Sequence, residues 1–165
     1  MACAERRAEP PLDLADSATP DVREARRQAF LAEQDAITQR ALAARRLRAG
    51  LVLERPTVLA FYPEWHSLLD TAALRQRLSE YEAVAQTEGW SFEERYSGEF
   101  RLTDPRSHAL YAAPISRDSL GLMLAAPGYP PRIWYGEIAP AALNERLRAL
   151  RRWLPGAARV TPDRL

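Results

Sequence analysis

Cysteine is almost absent from this chain: Cys3 is the only one in 165 residues. One thiol closes no internal disulfide and builds no cysteine metal cluster, so the fold must rest on its own apolar core. Lysine is missing altogether. All 23 basic residues are arginine, which reads as the imprint of a GC-rich, bacterial source. Twenty-two acidic residues balance them to a net charge of +1, so no field of one sign points to nucleic acid or to a membrane surface. No stretch approaches the ~18–20 apolar residues that a membrane span requires. The 7 glycines stand singly at turns, which leaves no glycine-rich loop to cradle a phosphate. With only two histidines, His66 and His108, the chain has little material for general-base or metal chemistry.

What is present is organised around residues 90–138. Trp90, Phe92 and Tyr96 share one parity, with Glu93 and Arg95 between them, the period-two pattern of a strand with one buried face. Ser97-Gly98 predicts a tight hairpin turn, and Phe100 and Leu102 predict the returning strand. Asp104-Pro105-Arg106-Ser107 is turn chemistry. His108–Ile115 reads as a third strand. Leu120–Ala125 is apolar on both faces, which predicts a central strand, and Arg132–Ile138 reads as the last. Turns every 8–12 residues predict antiparallel neighbours.

Helices flank this block. Thr19-Pro20-Asp21 opens a long helix, and Gly50 closes it behind Arg45, Arg46 and Arg48. Its apolar stripe is narrow: Phe30 and Ile37 lie seven apart and Ala44 continues the line. Leu51–Leu53 and Thr57–Tyr62 read as extended segments; Val58–Phe61 is apolar throughout, as a buried strand would be, and the Val58–Tyr62 strand is expected to join the sheet by its edge. A second helix runs from Ser67 or Asp70 to Glu88, with Gly89 as its stop. Pro140 opens a third, with Leu143, Leu147, Leu150 and Leu154 on one face, and Pro155-Gly156 ends it. The expected organisation is a leader or tether over 1–18, the long helix over 19–50, an α+β domain over 51–154 and a tail over 155–165. The fold class is α+β: an antiparallel sheet of about five strands, two helices packed on one face, and the long N-terminal helix as arm or lid.

Chemistry is thinly represented. His66 and Asp70 fall one turn apart if a helix has begun, and a metal site would need His108 and a carboxylate as well. Asp104, Ser107 and His108 supply triad residue types without a Gly-x-Ser-x-Gly elbow or an oxyanion loop. Glu93 and Glu94 point to opposite faces of a strand and make no acid–base pair. No metal site and no cofactor is expected. Tyr96, Arg101, Tyr111, Arg117, Tyr129, Arg132 and Trp134 lie on or beside the strands, and tyrosine, tryptophan and arginine dominate interface hot spots.

The sequence therefore favours a non-catalytic module that binds another protein, such as an immunity protein, inhibitor, chaperone or accessory subunit. Homodimerisation through 21–49 is a further expectation. One alternative is a small hydrolase or transferase with His66 or His108 as general base. Another is a periplasmic lipoprotein tethered through Cys3, because a cysteine followed by a polar, proline-containing stretch resembles a mature lipoprotein start. The cytoplasm is the expected compartment otherwise.

Overall fold

The computed structural model describes residues 19–66, 71–152 and 154. The expected leader, with Cys3, the expected tail and the Pro155-Gly156 stop lie outside them. The chain divides into two compact units, Met1–Ala43 and Ala44–Leu165.

Helix α1 (Pro20–Arg48) supplies the described part of the first unit. It begins where the Thr-Pro pair predicts: the Thr19 carbonyl accepts hydrogen bonds from Val22 and Arg23 N–H at 3.0 and 3.1 Å, and Pro20 takes the position whose N–H would be orphaned. Within that unit its large apolar side chains, Val22, Phe30, Leu31, Ile37 and Leu42, are exposed.

The second unit has two sheets. The elements are β1 (Leu51–Val52), β2 (Thr57–Tyr62), α2 (Thr71–Thr87), β3 (Ser91–Tyr96), β4 (Arg101–Asp104), β5 (Ala109–Ala112), β6 (Gly121–Ala125), β7 (Arg132–Tyr135) and α3 (Pro140–Arg151). One sheet runs β3-β2-β6-β7 and the other β1-β4-β5. The architecture is α+β, but the sheets are mixed rather than purely antiparallel. β2 pairs with β3 in parallel, and β1 with β4 in parallel. Helix α2 is the reason for the first of these. It carries the chain back along the sheet after β2, so β3 re-enters in the same direction.

Two further expectations change. The Thr57–Tyr62 strand is not an edge: all six residues are buried between β3 and β6. Its unbroken apolar character is what burial on both faces requires. Ser97-Gly98 turns, with Gly98 at φ 75°, but closes no hairpin between its flanking strands. Ser97 N–H donates to the Tyr62 carbonyl at 2.9 Å and Gly98 N–H to the Pro114 carbonyl at 3.0 Å, so the turn hands the chain from the larger sheet to the smaller.

Three layers result. On one face of the four-stranded sheet, Val58, Ala60, Leu122 and Leu124 pack against Leu74, Leu78, Tyr81 and Ala85 of α2 and Leu143 and Leu147 of α3. On the other face, Leu59, Phe61 and Met123 pack against Leu102, Leu53 and Phe100 of the smaller sheet region. Burying each large side chain contributes about 1.5–3 kcal/mol, so β2 and β6, apolar on both sides, are the centre of stability. Within this unit Ala44 and Leu47 join the helical-side core, and Arg95 Nε caps the end of α1 by donating to the Ala49 carbonyl at 3.0 Å.

Candidate functional site

Strand and helix ends gather at one end of the second unit: the C-terminus of α2, the entry to β3, the β1–β2 loop, the turns after β4 and β6, and the end of α3. They enclose a cleft of about 1090 Å³. A smaller, mainly apolar pocket of about 300 Å³ adjoins it, sharing Trp90, Ala126, Tyr129 and Leu154 with the larger one. Trp90 reaches this place because Gly89, at φ 77°, stops α2 and reverses the chain. The Trp90 N–H donates to the Ala85 carbonyl at 2.8 Å, which fixes the reversal.

Two buried carboxylates build the walls. Glu88 accepts a hydrogen bond from Arg148 Nε at 2.9 Å and lies 4.0 Å from Arg151 Nη1, tying the end of α2 to α3. Asp104 is 0% exposed. Its Oδ1 accepts from Arg106 N–H at 3.0 Å, and its Oδ2 accepts from Gly128 N–H at 2.8 Å and from the Ser107 hydroxyl. Burial alone would raise its pKa, but these donors outweigh it and hold the carboxyl below its ordinary value. One side chain thereby locks the turn after β4 to the turn after β6, both of which wall the cleft.

Arginine dominates the cleft's charge. Arg55, Arg106 and Arg151 face Glu54 and Glu88 in the larger cleft, and Arg132 stands at the smaller pocket. Both oxygens of Asp104 are occupied by other donors, so it does not pair with the Arg106 guanidinium.

The residues expected to bind do not form one surface. Tyr129 and Arg132 meet at the apolar pocket. Tyr96 is buried in the helical-side core, edge-on to Tyr62 at 5.9 Å and beneath the Arg48 guanidinium at 5.3 Å. Tyr111 packs inward against the core between the sheets. Trp134 lies half-buried beneath Arg146, 4.7 Å from its guanidinium carbon. Arg101 is exposed on β4, and Arg117 is exposed in the loop before β6. Arg55, Arg106 and Glu88 are the cleft residues that strand and helix periodicity passed over, while Trp90 was read only as part of a strand face. Each sits just past the end of an element, where periodicity carries no signal.

Neither histidine lines the cleft. His66 stacks on Trp65 with ring centroids 5.6 Å apart, and its expected partner Asp70 lies outside the described residues. His108 occupies the left-handed region at φ 56° in the exposed β4–β5 turn. Among the described residues no group of three His, Cys, Asp or Glu side chains converges as metal ligands, and no helix is long and apolar enough to cross a membrane. A separate polar cluster lies beside α2. The Tyr62 hydroxyl donates to Glu94 at 3.0 Å and accepts from Arg75 at 2.9 Å. Burial, then the Glu94 charge, push the Tyr62 phenol well above its ordinary pKa.

No protein-family model matches the chain, and comparison with curated proteins and with solved structures finds no match.

Proposed function

We propose that the protein is a non-catalytic binding module that docks another protein on the outer face of its three-stranded sheet. The observation that carries this reading is the register of that face. Val52 pairs with Thr103 and Thr103 with Leu110, so the three form one row across β1, β4 and β5. Val52 is 54% and Leu110 58% exposed, while the alternate row of Leu51, Leu102 and Tyr111 supplies the core. A sheet face with apolar residues in its exposed row and, among the described residues, nothing packed on it is the kind of surface a partner covers. Arg101 stands on the same face beside Ala112 and supplies a cation at the rim. The partner would bring an apolar centre with an acidic edge.

The chemistry-free reading also fits the separation of both histidines from the cleft. The natural compartment for such a module is the cytoplasm, and acylation of Cys3 in a membrane fraction would replace that placement with a tethered one. Phe30, Leu31 and Ile37, exposed on α1, support a second contact between copies through 21–49, which sedimentation across a concentration series tests.

The deciding experiment compares partner capture by the wild type with capture by Val52→Asp/Leu110→Asp. Both changes lie on the solvent side of the sheet and leave the core row intact. A stoichiometric partner lost from the variant, with unchanged circular dichroism, supports the reading. Capture that survives the double substitution removes it.

A further inference from the structure

We infer that the cleft and its apolar side pocket form a single site for an amphipathic organic anion: a small molecule with a flat or aliphatic apolar body and one carboxylate, sulfonate or phosphate head. Size comes first. The side pocket's ~300 Å³ lies at the lower end of small-molecule sites, which run from roughly 300 to 1,000 Å³, and it opens into a larger polar cleft. The two halves differ in chemistry. The pocket is walled by Trp90, Leu124, Pro130, Pro131, Leu150 and Leu154, which suits an apolar body. The cleft adds the guanidinium groups.

Charge selects the head. Four arginines, Arg55, Arg106, Arg132 and Arg151, face two glutamates across the combined site. Glu88 is neutralised by Arg148, which lies outside the lining. Arg151 approaches Glu88 at 4.0 Å, too long for a hydrogen bond, so its donors stay available to the cleft. Among the described residues, the Arg55, Arg106 and Arg132 side chains have no acidic partner. Arg106 is aimed rather than loose: its aliphatic stem lies against Gly128, where an added Cβ would come within 3.3 Å of its Cδ. Asp104 sets that arrangement by holding the backbones of Arg106 and Gly128 together. Guanidinium groups bind carboxylates and phosphates with planar, charge-assisted hydrogen bonds, and Trp90 and Tyr129, which line both halves, put aromatic surface at the junction.

The test uses the full chain and 8-anilinonaphthalene-1-sulfonate, an aromatic anion whose fluorescence rises in apolar surroundings. Titration is run on the wild type, on Leu110→Asp and on Arg55→Gln/Arg106→Gln. The substituted arginines are exposed and have no acidic partner among the described residues, so the fold is expected to be retained, and circular dichroism checks it. Expected is saturable one-site binding, unchanged by Leu110→Asp and weakened roughly tenfold or more by the double arginine substitution. 2-Naphthoate should displace the probe, and 2-naphthalenemethanol, its neutral counterpart, should not. Absence of saturable binding, equal affinity in Arg55→Gln/Arg106→Gln, or equal competition by the neutral alcohol would each overturn the assignment. Because Leu110→Asp abolishes only the sheet-face contact, failure of one proposal leaves the other standing.

Discussion

Asp104 offers the sharpest quantitative test of how this end of the molecule is built. Replacing it with asparagine keeps shape and volume and changes only donor and acceptor pattern. Oδ2 accepts from Gly128 N–H and the Ser107 hydroxyl, and Oδ1 accepts from Arg106 N–H. An amide has one oxygen. Whichever way it turns, its NH2 group meets a backbone N–H at about the distance the carboxylate oxygen now occupies, 2.8 Å at Gly128 or 3.0 Å at Arg106. A buried donor left facing a donor costs about 1–3 kcal/mol, and loss of the charge weakens the remaining bonds. The expected destabilisation of Asp104→Asn is about 2–3 kcal/mol, and Asp104→Ala, which leaves both backbone N–H groups and the Ser107 hydroxyl without this acceptor, should cost at least as much. Ser107→Ala removes one donor and should cost about 1 kcal/mol.

Urea unfolding at neutral pH measures these differences. Acid supplies an independent check. The folded carboxyl titrates below its unfolded value of about 3.9, so its contribution is fully present above that value and is lost as pH falls through the folded pKa. The wild type should therefore lose stability more steeply below pH ~4 than Asp104→Asn, which has no proton to take up there. An asparagine variant within about 0.5 kcal/mol of wild type, or with the same acid slope, would refute the account of Asp104 as the lock between the two turns.

Three further outcomes are expected. Gly121→Ala brings a methyl group into the edge of the Phe61 ring, far inside van der Waals contact, so chemical denaturation should show a loss of about 1–3 kcal/mol, relieved in part by adding Phe61→Leu. Glu88→Gln removes the carboxylate shared by Arg148 and Arg151; because both arginines are largely exposed, the loss should be only about 1–2 kcal/mol, read from the urea midpoint. Burial raises the pKa of Tyr62 and of Tyr81, so phenolate absorbance from two of the six tyrosines should lag the rest in an alkaline titration. The folded state holds those protons more tightly than the unfolded chain, so stability falls as pH rises above about 10, and Tyr62→Phe should reduce that fall.

Much of the secondary structure was legible because period and punctuation are local. Pro20, Gly89 and Pro140 mark real boundaries, and the Leu143/Leu147 spacing marks a real core face. The apolar doubling of Gly121–Ala125 announced a central strand, and it is one. The same doubling in Val58–Phe61 read as a buried strand, yet its place in the sheet was expected at the edge. Strand pairing put it in the centre, between a parallel β3 returned by α2 and an antiparallel β6. Tyr96 is core and Tyr111 packs partly buried against the core between the sheets, because each sits on the inward parity of its strand, and parity names a face without saying which layer covers it.

Composition and periodicity by themselves determined that the chain is α+β, that its fold rests on apolar burial rather than cystine, and where most helices and strands begin. Only tertiary structure decided that two sheets pack together, that β2 contributes to the cores on both faces of its sheet and that Asp104 joins two distant turns. It also decided that Arg55, Arg106 and Arg151 line one cleft with Trp90. The physical reason is range. Turn chemistry and amphipathic period act over a few residues, whereas a cleft is made by element ends that are remote in sequence and are brought together by packing alone.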